Sequence, residues 1–239
     1  MKLNYTHYDE LARAKAENLP LVIPAGNTEY HGPHCVCGCD TLITEGVASL
    51  LEQQKELVLA PTMAYCPSTY AASGPERNTL HVGMDTFERF AYGVLQSFLE
   101  GGWRSIVVLI HHQYDRELLF PMTLAWMGAA KRLLFDRMEA LHGPGWYARI
   151  GNDPAQMDYK RWIRVLPVMS REVQERTGYD HAGLYECSLL MALYPGMGLV
   201  RPEAAAGAPE WFAKSAAEAS EELGQKMLKE ILEDLKGKI

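Results

Sequence analysis

Two short apolar runs constrain this chain of 239 residues more than any other feature. Residues 106–110 read Ile-Val-Val-Leu-Ile, which is typical of a central strand buried on both faces. Residues 20–24 form a similar run near the start of the chain. Because helical patterns separate such runs, we expect βαβ units. The predicted fold is α/β, a three-layer α/β/α sandwich with a mostly parallel central sheet.

Periodicity and turn residues place the remaining elements. Strands are expected at 20–24, 57–60, 106–110 and 163–168. Helices are expected at 9–18, 40–55, 86–99, 116–141, 184–193 and 210–235. A long loop that contains Pro and Gly is expected at 64–78. No linker divides the chain, so one domain over 1–239 is expected.

Charge and hydropathy narrow the classes of partner. The formal net charge is −7, whereas nucleic acids and anionic membranes require a basic face. We therefore expect neither nucleic acid nor membrane as a partner. There is no apolar stretch near twenty residues and no charged-then-apolar leader at residues 1–3, which makes the cytoplasm the expected location.

The segment after the first strand concentrates metal-ligand side chains. Glu29 and His31 share one face if the chain is extended there, and Asp40 follows closely. These residue types hold Zn²⁺, Mn²⁺ or Fe²⁺ where the metal must also activate water. The alternative is a polar loop that caps the next helix. His112, after the strand at 106–110, and the later segment 180–188 supply more such groups at places where α/β folds form sites.

These segments together resemble the creatininase (creatinine amidohydrolase) family. Its members carry a Glu-x-His-Gly-Pro-His segment followed by an Asp, an apolar strand ending near a His, and a His-Ala-Gly-x-x-Glu-x-Ser segment. The matching residues here are Glu29, His31, His34, Asp40, His112, His181, Glu186 and Ser188. The segment 78–80 is similar to a Gly-Thr turn of that family. The matches run in the family's order across most of the chain.

The resemblance implies a hydrolase that holds one or two divalent metal ions, Zn, Mn or Fe, and uses metal-activated water. Asp40 is then the candidate for a carboxylate shared between two ions. Glu29 and His112 complete one position, and His31 with Glu186 completes the other.

The resemblance also implies the rest of the site. His181, with Glu186, is expected to be catalytic, His181 as a proton carrier outside the metal ligands. The alternative for His181 is a residue that only hydrogen-bonds backbone near a helix start. The residues expected around the substrate are His34, Asn78, Gln113, Tyr114 and Asp180. In the alternative interpretation the last four of these serve loop backbone, whereas His34 orients a metal ligand. His111 is expected to face away from the metals and to pack in the core or against a ligand.

Departures from the family pattern bear on the substrate. Creatininases have a Glu where this chain has Tyr114, which leaves a single-ion site as one alternative. They have a Trp-Asp pair where this chain has Thr177-Gly178. We therefore expect no aromatic wall suited to creatinine, and we do not expect creatinine to be the substrate. Polar residues in its place favour a substrate rich in hydroxyls.

Three functions follow from the resemblance and its departures. The first is opening of a small polar ring at a carbonyl, by hydrolysis of a cyclic amide C–N bond. The second is C–C hydrolysis of an oxidised inositol, a cyclic 1,3-dicarbonyl. The third is a catalytically silent, metal-binding assembly subunit. The resemblance further implies a homo-oligomer, a hexamer by analogy.

Cysteines alternate at positions 35, 37 and 39, which invites a zinc or redox interpretation. The spacing is too tight for a Cys-x-x-Cys zinc knuckle, and no second pair lies at zinc-finger distance. We therefore expect these thiols, and those of Cys66 and Cys187, to be small buried side chains in a reducing compartment.

Overall fold

A computed structural model describes residues 1–112, 120–150 and 158–239. In these ranges four parallel strands form a sheet in the order β2-β1-β3-β4. The strands are β1 Leu21–Ala25, β2 Val58–Leu59, β3 Ile106–Ile110 and β4 Ile163–Pro167. The α-helices are α1 Tyr8–Ala16, α2 Cys39–Glu52, α3 Met84–Glu100, α4 Pro121–His142, α5 Trp146–Ile150, α6 Arg171–Thr177, α7 Leu184–Leu193, α8 Pro202–Ala205 and α9 Glu221–Lys238.

The strands lie in register, which brings their carboxyl ends to one edge of the sheet. Ala25 pairs with Ile110, and Ile110 pairs with Pro167. The segments that leave β1 and β3 therefore emerge side by side. This edge is where an open parallel sheet places its ligand sites.

Alternate side chains of the strands enter two separate apolar clusters. Ile23 and Val108 face the cluster formed with α1, α3 and α4. Val22 and Leu109 face the cluster formed with α2, α6, α7 and α9. Helices therefore cover both faces of the sheet, and the predicted three-layer α/β/α sandwich is confirmed.

Two helix predictions near the C-terminal end need correction. The single helix expected at 210–235 is wrong, because a 3₁₀ helix at Trp211–Glu218 is followed by a break and then by α9. The break has a local cause: the Ser220 hydroxyl accepts the Leu223 amide proton and caps a new helix. Helix α6 was not predicted; Ser170 caps it in the same way through the Val173 amide.

The start of α4 lies further along the chain than expected. Its first residue is Pro121, a position where the missing amide proton costs nothing. Residues 113–119, where the sequence places the beginning of this helix, lie outside the described residues.

A helix that crosses a bilayer must be both long and apolar. Throughout the three described ranges, none combines the length and the apolar character needed to cross one.

Candidate metal centre

The backbone just after β1 packs directly against the backbone at the start of α2. A Cβ at Gly26 would lie 2.5 Å from the Thr41 amide nitrogen, so only glycine fits there. The Thr41 hydroxyl donates to the Asn27 carbonyl at 3.0 Å. Asn27 is fully buried, and its amide group donates to the Leu80 carbonyl and accepts from the Cys66 amide. The loop that carries Glu29 is therefore held against the start of α2.

Five ligand-type side chains meet at the carboxyl edge of the sheet, and all of them are buried. They come from the loop after β1, from the first turn of α2, from the end of β3 and from the first turn of α7. They are Glu29, His31, Asp40, His112 and Glu186. The structure thus brings together every residue that the sequence assigned to metal binding.

The two oxygens of Asp40 face different imidazoles. Oδ2 lies 2.8 Å from His112 Nδ1, and that nitrogen is also 3.2 Å from Glu29 Oε1. Oδ1 lies 3.3 Å from His31 Nε2, which is 3.4 Å from Glu186 Oε2. Asp40 therefore belongs to two adjoining sets of ligand atoms.

Electrostatics in this cluster favour a positive charge. Burial would lower the pKa of His112, yet Asp40 and Glu29 raise it to about 10. Burial would likewise lower the pKa of His31, but Asp40 and Glu186 raise that pKa well above its ordinary value. Burial would raise the pKa of the Asp40 carboxyl, but the two imidazoles hold it below its usual range. The buried carboxylates thus draw cationic charge into the site.

The donor set fits a divalent cation. His31 Nε2 is buried and forms no hydrogen bond with any residue in the described ranges, although two carboxylate oxygens lie within 3.4 Å. The lone pair or proton on His31 Nε2 is therefore aligned with neither the Asp40 oxygen nor the Glu186 oxygen well enough for a hydrogen bond. A cation among these atoms would satisfy all three, and Glu, His and Asp suit zinc or manganese.

His111 contacts Glu186, one of the five ligand-type residues. Its Nε2 lies 2.8 Å from Glu186 Oε1, and the Ala182 amide donates to Glu186 Oε2 at 2.5 Å. Its ligand atom also lies within 4.8 Å of those of Asp40 and Glu186, so the expectation that His111 faces away from the metals was wrong, and its packing against a ligand is what is observed. Glu186 is consequently held from two sides.

His181 stands at the open side of the cluster. Its side chain is 32% exposed, and its Nδ1 lies 3.8 Å from Glu29 Oε1 and 4.0 Å from Glu186 Oε2. The imidazole contacts the ring of His31 at 4.5 Å between centroids and the ring of Phe212 at 5.0 Å. His181 therefore lies outside the two sets around Asp40, but its ligand atom and those of Glu29 and His31 lie within 4.8 Å of one another.

Two residues expected to bind substrate contact backbone in the structure. His34 is buried, with Nε2 2.7 Å from the Ala182 carbonyl. The Asp180 carboxylate accepts the amide protons of Tyr185 and Glu186 at 3.1 and 3.0 Å. The Asp180 contacts match the alternative that this side chain serves loop backbone, and the contacts of both residues order the turn that presents Glu186.

The other residues expected near the substrate are placed differently. Asn78 is exposed and ends the 3₁₀ helix Pro75–Arg77 in a left-handed conformation, with φ 64°. Gln113 and Tyr114 lie outside the described residues. Their predicted contact with substrate stays a prediction.

Sequence reasoning missed several neighbours of the site. Ser68 donates to Glu29 Oε2 at 3.3 Å, and Phe212 covers one edge of His181. Cys39 lies beside His31 and Glu186, with one ligand atom of each residue within 4.8 Å of the others. No sequence spacing predicts the contact between Phe212 and His181. The position of Cys39 directly before Asp40, in contrast, could have indicated that its thiol lies near the ligands.

The predicted burial of the cysteines is confirmed at three positions. Cys39, Cys66 and Cys187 are buried, and all five cysteines are free thiols. Cys35 and Cys37 are only half-buried, so the prediction of full burial was wrong for them. Both lie on the loop that crosses from β1 to α2, where the chain meets solvent.

Comparison with known proteins assigns a family. The family model described as "Creatininase: Creatinine amidohydrolase" matches residues 4–238. The protein "3-dehydro-scyllo-inosose hydrolase" of Thermotoga maritima is 24% identical over 179 residues, which are 73% of this chain and 50% of that protein. This chain thus spans about half the length of the curated relative it matches.

Solved creatininases share the fold. One is similar with a TM-score of 0.71 and 20% identity, covering 98% of this chain and 94% of that chain. A structure named "Creatininase Mn" gives 0.72 and 19%, and a mutant creatininase of Zn-Zn type gives 0.74 and 19%; each covers 98% of this chain and 95% of the other. Solved creatininases therefore include zinc and manganese forms.

Proposed function

This chain belongs to the creatininase family, and from that premise we propose that it is a metal-dependent hydrolase that opens a small polar ring at a carbonyl group. The bond we propose is the C–N bond of a cyclic amide. Family membership supports the hydrolase, and the geometry of the buried cluster supports the use of a divalent cation.

One observation carries the proposal: buried side chains from four separate segments converge around the two oxygens of Asp40. Glu29 and His112 would complete one cation position with Oδ2. His31 and Glu186 would complete the other with Oδ1. When bound, such cations polarise a carbonyl and lower the pKa of water to about 7.

His181 is the proposed proton carrier. Its Nδ1 faces two carboxylates, while its Nε2 has no hydrogen-bond partner among the described residues. Phe212 and His31 pack on the ring and fix its orientation. A ring nitrogen of His181 would take a proton from the attacking water and give it to the leaving nitrogen.

A second candidate is ring opening at a C–C bond of an oxidised inositol. The likeness to 3-dehydro-scyllo-inosose hydrolase favours it, since that relative's name describes a ring ketone rich in hydroxyls. The same carbonyl addition would precede bond cleavage, and His181 would deliver its proton to carbon instead of nitrogen. The two candidates differ in the bond that breaks.

The test begins with protein purified without chelator. Metal analysis should give about two equivalents per chain, because Asp40 can serve both positions. Chelation should abolish turnover, and Zn²⁺, Mn²⁺ or Fe²⁺ should restore it. One equivalent with full activity would select a single-ion site instead.

Products separate the two substrate classes. A panel of lactams, imides and inososes in ¹⁸O-labelled water should give a labelled carboxylate. A new amine from a lactam, or a new amide from an imide, identifies C–N cleavage, and a labelled ring-opened acid from an inosose identifies C–C cleavage. Bound metal without turnover on any class would contradict the hydrolase and favour an assembly subunit.

A further inference from the structure

A buried thiol adjoins one of the two proposed cation positions. Cys39 is the first residue of α2, directly before Asp40, and it is fully buried. Its Sγ, a ring nitrogen of His31 and a carboxylate oxygen of Glu186 all lie within 4.8 Å of one another. Cys39 therefore stands beside the pair that would hold the second ion.

The separations suit a shared ion. Zinc bonds to sulfur at about 2.3 Å and to nitrogen or oxygen at about 2.0–2.2 Å, so tetrahedral ligand atoms lie about 3.5 Å apart. His31 Nε2 and Glu186 Oε2 are already 3.4 Å apart. Because the thiol lies within 4.8 Å of both partners, a small side-chain movement brings it into the same shell.

A second, independent observation is the unsatisfied nitrogen. Within the described part of the chain His31 Nε2 forms no hydrogen bond, so a ligand position is open at the partner that Cys39 adjoins.

We propose that Cys39 Sγ is a ligand to the cation held by His31 and Glu186. The inference rests on the proposed function, because it requires a cation at this position. On binding, the Sγ–H bond breaks, its proton passes to the buffer, and the sulfur electron pair forms the bond to the ion. The other position, at Glu29 and His112, keeps only nitrogen and oxygen ligands.

The two positions would then differ in metal preference. Thiolate sulfur favours zinc, whereas carboxylate and water oxygens suit manganese. The position with Cys39 should therefore select zinc over manganese more strongly than its neighbour. A protein offered both metals would fill the two positions unequally.

X-ray absorption at the zinc edge tests the ligand directly. Wild-type protein loaded with zinc should show a sulfur shell at about 2.3 Å, with about one sulfur for every two zinc ions. Cobalt substitution should add a near-ultraviolet sulfur-to-cobalt charge-transfer band. Cys39→Ser should lose both signals and lower the zinc-to-manganese preference about tenfold or more. Cys37→Ser, two residues before Cys39 and in none of the ligand groups found among the described residues, should keep them.

The outcomes are separable. Bound zinc with only nitrogen and oxygen at about 2.0–2.1 Å in wild-type protein would overturn the inference and leave the proposed function standing. No bound ion in wild-type protein would overturn both. Because the wild-type spectrum alone decides the point, the inference stays testable even if Cys39→Ser fails to fold.

Discussion

The two helical layers on either side of the sheet differ in what they bury. The layer of α1, α3 and α4 is apolar at its centre, where Phe87 and Trp126 are fully buried and meet edge to face at 5.5 Å. The layer of α2 and α7 buries Asp40 and Glu186 beside its apolar side chains. Burying carboxylates opposes folding. One layer therefore stabilises the fold, while the other also presents the ligands, and substitutions in the two layers should change different measurements.

The largest effect is expected from Asp40→Asn in the ligand-bearing layer. An amide cannot offer two anionic oxygens, so both cation positions weaken together. Turnover should fall by more than about 100-fold, the upper range for residues that only support a ligand. Metal content should fall with it. The matched control is Asp85→Asn, because Asp85 is the second residue of α3 as Asp40 is of α2. Equal losses of turnover and metal content in the two variants would contradict the difference between the layers.

His181→Gln should separate proton transfer from metal binding. We expect kcat to fall by about 10²–10⁴-fold, the usual contribution of a general acid or base. Metal content should stay at the wild-type level, since His181 stands outside both ligand sets. The exposed His142 offers a control as His142→Gln. Loss of metal in His181→Gln would make it a ligand instead.

Phe87→Ala addresses the apolar layer. Removing a fully buried ring beside Trp126 should lower the free energy of unfolding by about 3–5 kcal/mol. Urea unfolding measures this change. Metal content of the folded fraction should be unaffected; a drop would show that the two layers are not independent.

Gly224→Ala tests the contact between α9 and α7. A Cβ at Gly224 would lie 1.9 Å from the Ser188 carbonyl oxygen, so the helices must separate. We expect a loss of about 1–3 kcal/mol in unfolding free energy. Because Ser188 lies two residues after Glu186, metal affinity should weaken as well. Unchanged affinity would limit the effect to packing.

The smallest effect is expected from Gly93→Ala in the opposite layer. Gly93 is exposed within α3, and a Cβ there meets nothing within 4 Å. Alanine should raise the unfolding free energy by about 0.5–1 kcal/mol by restricting the unfolded chain. Activity and metal content should not change. Destabilisation would contradict the open environment around this position.

Much of the ligand set could be predicted because it depends on strand ends. Residues that follow parallel strands meet at one edge of a sheet, and this placed Glu29, His31 and His112 together before any coordinates. Glu186 and Asp40 followed from the family resemblance. Their convergence around Asp40 in the fold agrees with that prediction.

Other contacts could not be predicted because they depend on side-chain direction and on distant segments. His111 was expected to face away from the metals, yet it follows the strand face that packs against α7, and its ring contacts Glu186 there. Phe212 approaches His181 from a part of the chain with no periodic relation to it. The apolar pattern of 210–235 also continued across the turn at Ser220, where a hydroxyl cap outweighed propensity.

The tight crossing at Gly26 has a consequence for how this fold can diversify. Since main-chain atoms alone set the gap between β1 and α2, the spacing of Glu29 and Asp40 is established as the polypeptide folds and needs no later induced closure. Outer walls such as the segment around Phe212 can then be remodelled for new substrates while the ionic centre keeps its dimensions.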